Sequence, residues 1–273
     1  MENLALQKKA LQLRKDVARM IGVGKVGHLG GSCSLADIAT YLYYEEMKLD
    51  PRDPQMPDRD RFLLSKGHAA LIQYAALGDL GFYPQEEEST LKQLGSRLQG
   101  HPDLKKLPGI EANTGSLGQG ISMAAGMAAG LRIDHSPARV YCALGDGELA
   151  EGQVWEALMA AGVYKLSNLC AIVDLNGLQA TGPVAERFDS SPYKEKFEAF
   201  RWHVIEIDGH DFDQIRAAFR AARAEKEKPT AILAHTVKGK GFAFAENVVG
   251  FHNGALTQEQ LDAALATGEE EAK

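Results

Sequence analysis

Gly145-Asp-Gly-Glu148, together with Asn176 thirty positions after Asp146, constrains this chain more than any other stretch. Asp146 closes the apolar run Arg139-Val-Tyr-Cys-Ala-Leu144, and Asn176 closes Leu169-Cys-Ala-Ile-Val-Asp-Leu175. Short apolar runs bounded by turn residues read as buried strands. Gly152 to Tyr164, between them, has a helical pattern. The whole is one β-α-β unit with an oxygen ligand at the carboxyl end of each strand. Open α/β sheets bind ligands at that edge. A hard cation such as Mg²⁺ or Ca²⁺ takes carboxylate, carbonyl and phosphate oxygens. A lone Gly-Asp-Gly is common at turns, but the spacing to Asn176 and the strand-helix-strand context favour a metal clamping a diphosphate. Gly147 lacks a Cβ, so its N–H can approach a phosphate oxygen closely. The helix after Glu151-Gly152 points its N-terminus the same way, which favours an anion.

The rest of the chain repeats the alternation of strand and helix. Leu4 to Ile21 predicts an amphipathic helix, with Leu4, Leu11, Val17, Ala18 and Ile21 as its apolar residues. Gly27-His-Leu-Gly-Gly-Ser-Cys-Ser34 reads as a loop, and Ser34 as the cap of a helix from Leu35 to about Met47. Three prolines and Asp50, Asp53, Asp58 and Asp60 make residues 50–60 an exposed loop. Phe62-Leu-Leu64 is a short buried strand, followed after Ser65-Lys-Gly-His68 by a helix to about Leu80 and, after Pro84, by a polar helix. Residues 95–116 form a long loop, and such loops within compact domains tend to be functional. Gly118 to Leu131 is small and apolar throughout, which suits a helix buried on all sides. Beyond Asn176 come an irregular loop over 177–193, a strand Trp202–Ile207, a helix from Phe212 to Lys226 capped by Asp211, and a strand Thr230–Ala234. A glycine-rich loop from Lys238 to Gly254 and a short amphipathic helix close the chain. The fold class is therefore α/β, a mostly parallel sheet with helices on both faces. We expect one domain over residues 1–273, with a loop-rich part at 1–116. The acidic tail from Gly268 to Lys273 reads as a frayed end.

Charge and composition exclude several classes. The net charge is −7, and Glu269-Glu-Glu271 supplies three of the negatives, so the body is only mildly acidic and nucleic acid is not its expected partner. No run approaches the ~18 apolar residues of a membrane span, and the N-terminus does not read as a signal peptide. Cys33, Cys142 and Cys170 form no CxxC, so they read as small apolar residues in a reducing compartment. We expect a cytoplasmic protein that works without a membrane.

Four of the eight histidines lie in glycine-rich stretches: His28, His68, His101 and His252. Any one of them is readily explained as a loop or surface residue. Four together suggest groups that donate to an oxyanion or shuttle protons. A zinc site is the rival, but no HxxxH or HExxH spacing supports it. His135, His203, His210 and His235 read as turn and strand-end residues without function. Thr114-Gly-Ser-Leu-Gly-Gln-Gly120 is a further glycine loop; Gly115 and Gly118 could expose backbone to a ligand, while Gly120 reads as a packing glycine.

These motifs, taken in order, resemble the transketolases. The resemblance rests on Gly27-His28 with Gly30-Gly-Ser32, Asp60-Arg-Phe-Leu-Leu-Ser-Lys-Gly-His68, Gly100-His-Pro102, Thr114 to Gly120, Gly145 to Gly152, Asp174-Leu-Asn176 and His252-Asn-Gly254. It covers roughly residues 4–265. It implies the thiamine diphosphate-binding fold of the diphosphate-binding (PP) type. Asp146, Asn176 and the carbonyl of Leu178 would hold the divalent metal. Gly147, His68 and His252 would touch the diphosphate, the Gly115 carbonyl would accept from the aminopyrimidine, and Leu117 would pack under the thiazolium ring. His28, His101 and His252 would line the substrate channel. The implied reaction moves a two-carbon ketol unit from a ketose phosphate to an aldose phosphate.

Two departures matter. Longer transketolases usually have Gly-His-Pro-Gly where this chain has Gly27-His-Leu-Gly30. They are also much longer, and their second domain binds the aminopyrimidine and supplies the activating glutamate and the arginines for the sugar phosphate. The resemblance therefore implies the N-terminal subunit of a split transketolase. It would be active only with a C-terminal subunit, in an expected α₂β₂ assembly. The partner surface is expected to include the Gly118–Leu131 helix and the glycine loops. The rival readings are the α-subunit of a 2-oxoacid dehydrogenase, which would not explain the histidine set, and a non-catalytic scaffold, which would have no need of it. The sugar stays open between pentose phosphate metabolism and an unusual branched sugar phosphate.

Overall fold

In the computed structural model, which describes residues 1–268, five parallel strands carry the architecture. The strands in chain order are β1 (Val26–Gly27), β2 (Arg61–Leu64), β3 (Val140–Gly145), β4 (Leu169–Leu175), β5 (Leu178–Gln179), β6 (Gly182–Pro183), β7 (His203–Asp208), β8 (Thr230–His235) and β9 (Gly254–Ala255). The main sheet runs β2-β3-β4-β8-β7, and every neighbouring pair is parallel. β1 pairs with β9, and β5 with β6, as short antiparallel ladders.

Burial explains why these runs form a parallel sheet. Successive side chains on a strand point to opposite faces. On β3, Val140, Cys142 and Leu144 enter one apolar cluster, while Tyr141 and Ala143 enter another. On β4, Ala171 and Val173 go one way and Cys170 and Ile172 the other. Both faces are covered, which is why the runs are continuously apolar instead of alternating. One cover is α1 (Asn3–Ile21), α2 (Leu29–Ser34), α3 (Ala36–Tyr41), α4 (Ala70–Asp79) and, further along the chain, α9 (Phe212–Ala224). The other includes α5 (Gln119–Ile133), α6 (Gly152–Val163) and α8 (Tyr193–Ala199). α7 (Val184–Arg187) and α10 (Gln258–Ala266) are short outer pieces. All three cysteines are free and buried.

Several expectations need correcting. Leu29–Ser34 is helical, not loop, and Ser34 is its last residue, not the cap of the next helix. The Ser34 hydroxyl donates instead to Asp174 Oδ2 at 2.6 Å. The following helix is α3 with a π-type turn at Leu42–Glu46. The polar segment after Pro84 is a 3₁₀ turn, Gln85–Thr90. Leu4, counted on the apolar stripe of α1, is 51% exposed, whereas Leu6, Ala10, Leu13 and Val17 face the core. The helix from Gly118 is not buried on all sides: only Gly120, Ile121, Ala124 and Ala128 of α5 are. The irregular loop over 177–193 contains the β5–β6 ladder and α7. Asp211 caps α9 as expected, accepting from the Asp213 and Gln214 amides. Residues 269–273, the greater part of the acidic tail, lie outside the described residues.

No helix among the described residues is long and apolar enough to cross a membrane.

Candidate active site

The functional side chains collect at the carboxyl edge of β2, β3, β4 and β8. β2 delivers Lys66 and His68, β3 delivers Asp146 to Glu148, β4 delivers Asp174 and Asn176, and β8 delivers Thr236 and Lys238. Most of them border a cleft of about 200 Å³ lined by His68, Leu117, Gly147, Leu178 and His252 with Asp146, Asn176 and Lys238, while Asp174 and Thr236 lie outside its lining.

Asp146 is 4% exposed. Its Oδ1 accepts the Gly147 amide at 2.7 Å and its Oδ2 the Gly177 amide at 2.5 Å. Burial, and then the nearby Asp174 carboxylate, push its pKa up to about 6. A carboxylate held by two amides and disfavoured by its surroundings is suited to a cation. Asn176 sits beside it: its Oδ1 accepts the Leu178 amide at 3.1 Å and its Nδ2 donates to Asp174 at 3.2 Å. The Leu178 carbonyl accepts from the Lys238 ammonium at 2.7 Å. Carboxylate, carboxamide and carbonyl oxygens form the hard donor set that Mg²⁺ or Ca²⁺ takes. Among the described residues, no three His, Cys, Asp or Glu side chains converge on a point that could hold a metal.

The four histidines of the glycine-rich stretches come together. The His28 ring lies 5.5 Å from His68, 5.7 Å from His101 and 5.6 Å from His252, centroid to centroid, and His68 stacks on His252 at 4.9 Å. Burial is the leading cause of a lowered pKa in each. It takes His68 to about 2, with help from Lys66, His28 to about 3 and His252 to about 4; His101 is also lowered. All four are therefore neutral at pH 7, and act as hydrogen-bond partners with one donor and one acceptor nitrogen each. His28 Nδ1 is buried without a protein partner, as expected of a group kept for a ligand.

Gly115 makes this assembly possible. Its φ is +127°, a region L side chains rarely adopt, and a Cβ there would lie 2.7 Å from the His101 ring. A Cβ on Gly67 would in turn lie 2.6 Å from the Gly115 nitrogen. The glycine loop, the turn bearing His68 and the His101 loop thus pack backbone to backbone.

Sequence reasoning missed the charged groups in and beneath the cleft. Asp174 accepts from Lys66, Ser34, Thr236 and Asn176. Glu148 accepts from the Ser65 hydroxyl at 2.5 Å and from the Gly118 and Gly145 amides at 2.8 and 3.1 Å. It thereby ties the start of α5 to β2 and β3. Lys238, 1% exposed, reaches Leu178 and lies 2.9 Å from His252 Nδ1; burial, then Lys66, lower its pKa to about 8. A charged residue quoted only as part of a motif, or standing in a loop, was the one available signal. His210 was also passed over, yet it is half-buried and hydrogen-bonded at both ring nitrogens.

Residues 7–268 match the family described as transketolase, thiamine diphosphate binding domain. The chain belongs to the transketolase family. It is 44% identical over 270 residues to the 6-deoxy-6-sulfo-D-fructose transketolase subunit SqwG of Clostridium sp. (strain MSTE9), covering 99% of this chain and 98% of that protein. It is 39% identical to an apulose-4-phosphate transketolase subunit of Phocaeicola vulgatus, covering 97% of this chain and 93% of that one. Human transketolase is 41% identical over 261 residues, but the match takes in 92% of this chain and only 41% of the human protein. The crystal structure of transketolase from Campylobacter jejuni superposes with a TM-score of 0.91 at 32% identity, over 100% of this chain and 45% of that one. The transketolase chain is thus of the N-terminal, thiamine diphosphate-binding type found as a separate subunit of split enzymes, and its chemistry is thiamine diphosphate-dependent ketol transfer.

Proposed function

We propose that this transketolase subunit, as a single diphosphate-binding domain, supplies the metal-binding half of a cytoplasmic ketol-transfer site for sugar phosphates. A C-terminal subunit with a pyrimidine-binding domain and the activating glutamate would complete it in an α₂β₂ assembly. The observation that carries the reading is the convergence of Asp146, Asn176 and the Leu178 carbonyl with four neutral histidines around one cleft.

In this reading Asp146, Asn176 and the Leu178 carbonyl hold Mg²⁺ (or Ca²⁺). Lys238, whose ammonium bonds that carbonyl here, would supply a positive charge for phosphate oxygens. The Gly147 amide, His68 and His252 contact the diphosphate. The Gly115 carbonyl accepts from the aminopyrimidine, and Leu117 supports the thiazolium ring. Bound thiamine diphosphate supplies an electron sink for breaking and making the carbon–carbon bond. His28, His101 and His252, all neutral, hold the sugar hydroxyls and move protons at the donor carbonyl oxygen through their ring nitrogens. The exposed side of α5, with α6 beside it, is the face we assign to the partner. Ile133, Met159, Val163 and Tyr164 are all exposed there, at 78%, 48%, 57% and 67%.

The reaction is expected to use a ketose phosphate donor, as in pentose phosphate metabolism. The match to two subunits named for 6-deoxy-6-sulfo-D-fructose and apulose 4-phosphate supports a second reading, in which the donor is a sulfonated or branched ketose. The test is turnover with thiamine diphosphate and Mg²⁺ by the chain alone and with its partner, on a ketose phosphate, a sulfonated ketose and a 2-oxoacid. Ketol transfer is expected only with the partner. Transfer by the chain alone sinks the two-subunit proposal, and turnover of the 2-oxoacid alone sinks the substrate class.

A further inference from the structure

His210 stands at the carboxyl end of β7, one strand beyond those that furnish the cleft. It is held at its backbone amide and at both ring nitrogens. Its amide donates to Asp208 Oδ1 at 2.8 Å. The preceding Gly209 donates to the His235 carbonyl at 2.8 Å, and a Cβ on Gly209 would meet Thr236 Cγ2 at 2.5 Å, so only glycine brings the two turns this close. The imidazole Nδ1 lies 2.7 Å from Asp37 Oδ2, and Nε2 lies 2.9 Å from the Val237 amide nitrogen.

The backbone amide of Val237 can only donate, so Nε2 must be the accepting nitrogen. Nδ1 then carries the proton and donates to Asp37. Asp37 is well placed to fix that tautomer: although burial opposes its ionisation, the Arg14 guanidinium holds its pKa down to about 2. Arg14 binds both Asp37 oxygens, at 3.1 and 2.5 Å, and lies 2% exposed between α1 and α3. The chain Arg14–Asp37–His210–Val237 thus runs from the helical layer to one backbone amide.

That amide lies between a residue bonded to Asp174 beneath the cleft and a residue that lines it. Thr236, before it, donates to Asp174. Lys238, after it, bonds the Leu178 carbonyl and faces His252. We propose that His210 is a positioning residue that clamps the Thr236–Lys238 turn and so places the Lys238 ammonium in the diphosphate cleft. Its effect on cofactor binding rests on the reading of that cleft given above; the clamp itself does not.

Hydrogen exchange on the full chain, with thiamine diphosphate and Mg²⁺ titrated in the presence of the partner subunit, tests both parts. His210→Ala is expected to speed exchange at the Val237 amide about tenfold, as for loss of one hydrogen bond, while β3 amides keep their protection. The Kd for thiamine diphosphate is expected to rise about tenfold, with kcat at saturating cofactor close to wild type, because His210 touches no reacting atom. His210→Gln can accept from Val237 and donate to Asp37, and is expected to recover most of both effects. Should His210→Ala not fold, His210→Phe, which fills the space without an acceptor, makes the same comparison. Unchanged exchange at Val237 overturns the clamp. Faster exchange with unchanged cofactor affinity overturns its role in placing Lys238. A wild-type complex that binds no thiamine diphosphate overturns the cofactor reading instead, and the exchange comparison still decides the clamp.

Discussion

Lys66 and Asp174 form an ion pair enclosed beneath the cleft, with side chains 1% and 0% exposed. Lys66 also donates to the Gly31 carbonyl at 2.9 Å, and Asp174 takes up Ser34, Thr236 and Asn176 as well. The pair thus joins α2, β2, β4 and the turn after β8 at one point. Removing one member of a buried pair leaves the other charge uncompensated, at a cost of about 3–5 kcal/mol. Asp174→Ala is therefore expected to be among the most destabilising single changes in the chain. Lys66→Met is expected to cost less, since the carboxylate retains three other donors. Urea denaturation of both variants checks the order, and a smaller loss for Asp174→Ala would contradict it.

Asp146 differs from Asp174 in what surrounds it. No described residue forms an ion pair with it; two backbone amides orient it toward the cleft. Asp146→Ala should therefore disturb folding little and cofactor binding strongly. Outer partners of metal ligands already contribute about 10–100-fold in affinity, so loss of a charged ligand should weaken thiamine diphosphate binding by roughly a hundredfold or more. Titration of the reconstituted variant with cofactor at fixed Mg²⁺ measures this. If it saturates as readily as wild type, the metal assignment is wrong.

The contrast between these two aspartates also shows what can be read from sequence. Asp146 and the four clustered histidines stood out because each lies next to or within two residues of a glycine, at the end of an apolar run or in a loop, and that signal is local. Asp174 lies inside the apolar run Leu169–Leu175, and its partners Ser34, Lys66 and Thr236 are 140, 108 and 62 positions away. No local pattern reports such a contact. For the same reason Ser34 passed for a helix cap: its hydroxyl is suited to either role, and only the sheet brings Asp174 to it. The parallel sheet was legible because β3 and β4 are apolar on both faces. The surroundings of α5 were not, because small residues signal a close approach without saying whether the neighbour is the chain's own core or another subunit. His210 was hidden by its place in an ordinary turn before a helix.

Glu88 gives the fold a pH dependence remote from the cleft. It is 7% exposed, and its Oε1 has no hydrogen-bond partner. Burial, then the carboxylate of Asp16, raise its pKa to about 8. The folded state therefore holds this proton more tightly than the unfolded chain does. Stability from this group is complete below the unfolded value near 4.5 and falls as pH rises toward about 8. Glu88→Gln removes that dependence. Denaturation midpoints between pH 5 and pH 9 should decline for wild type and less steeply for the variant, which should be the more stable of the two at pH 9. Parallel profiles would show that Glu88 is ionised in the folded chain throughout.

Gly126 and Gly130 separate the stability of the chain from its assembly. Both lie within α5, and a Cβ on either would meet nothing within 4 Å. Glycine inside a helix costs about 0.5–1 kcal/mol relative to alanine, through the extra freedom of the unfolded chain. For this chain alone, Gly126→Ala should therefore be stabilising by about that amount. If the exposed side of α5 is pressed against the partner subunit, the same methyl group enters a close contact and works against association. The two effects have opposite signs, which a surface without function would not produce. Thermal denaturation of the isolated chain gives the first, and sedimentation of the mixture with the partner subunit gives the second. Gly126→Trp sharpens the comparison: it should leave the isolated chain folded and abolish the complex. A complex that forms with undiminished affinity would place the partner on another face.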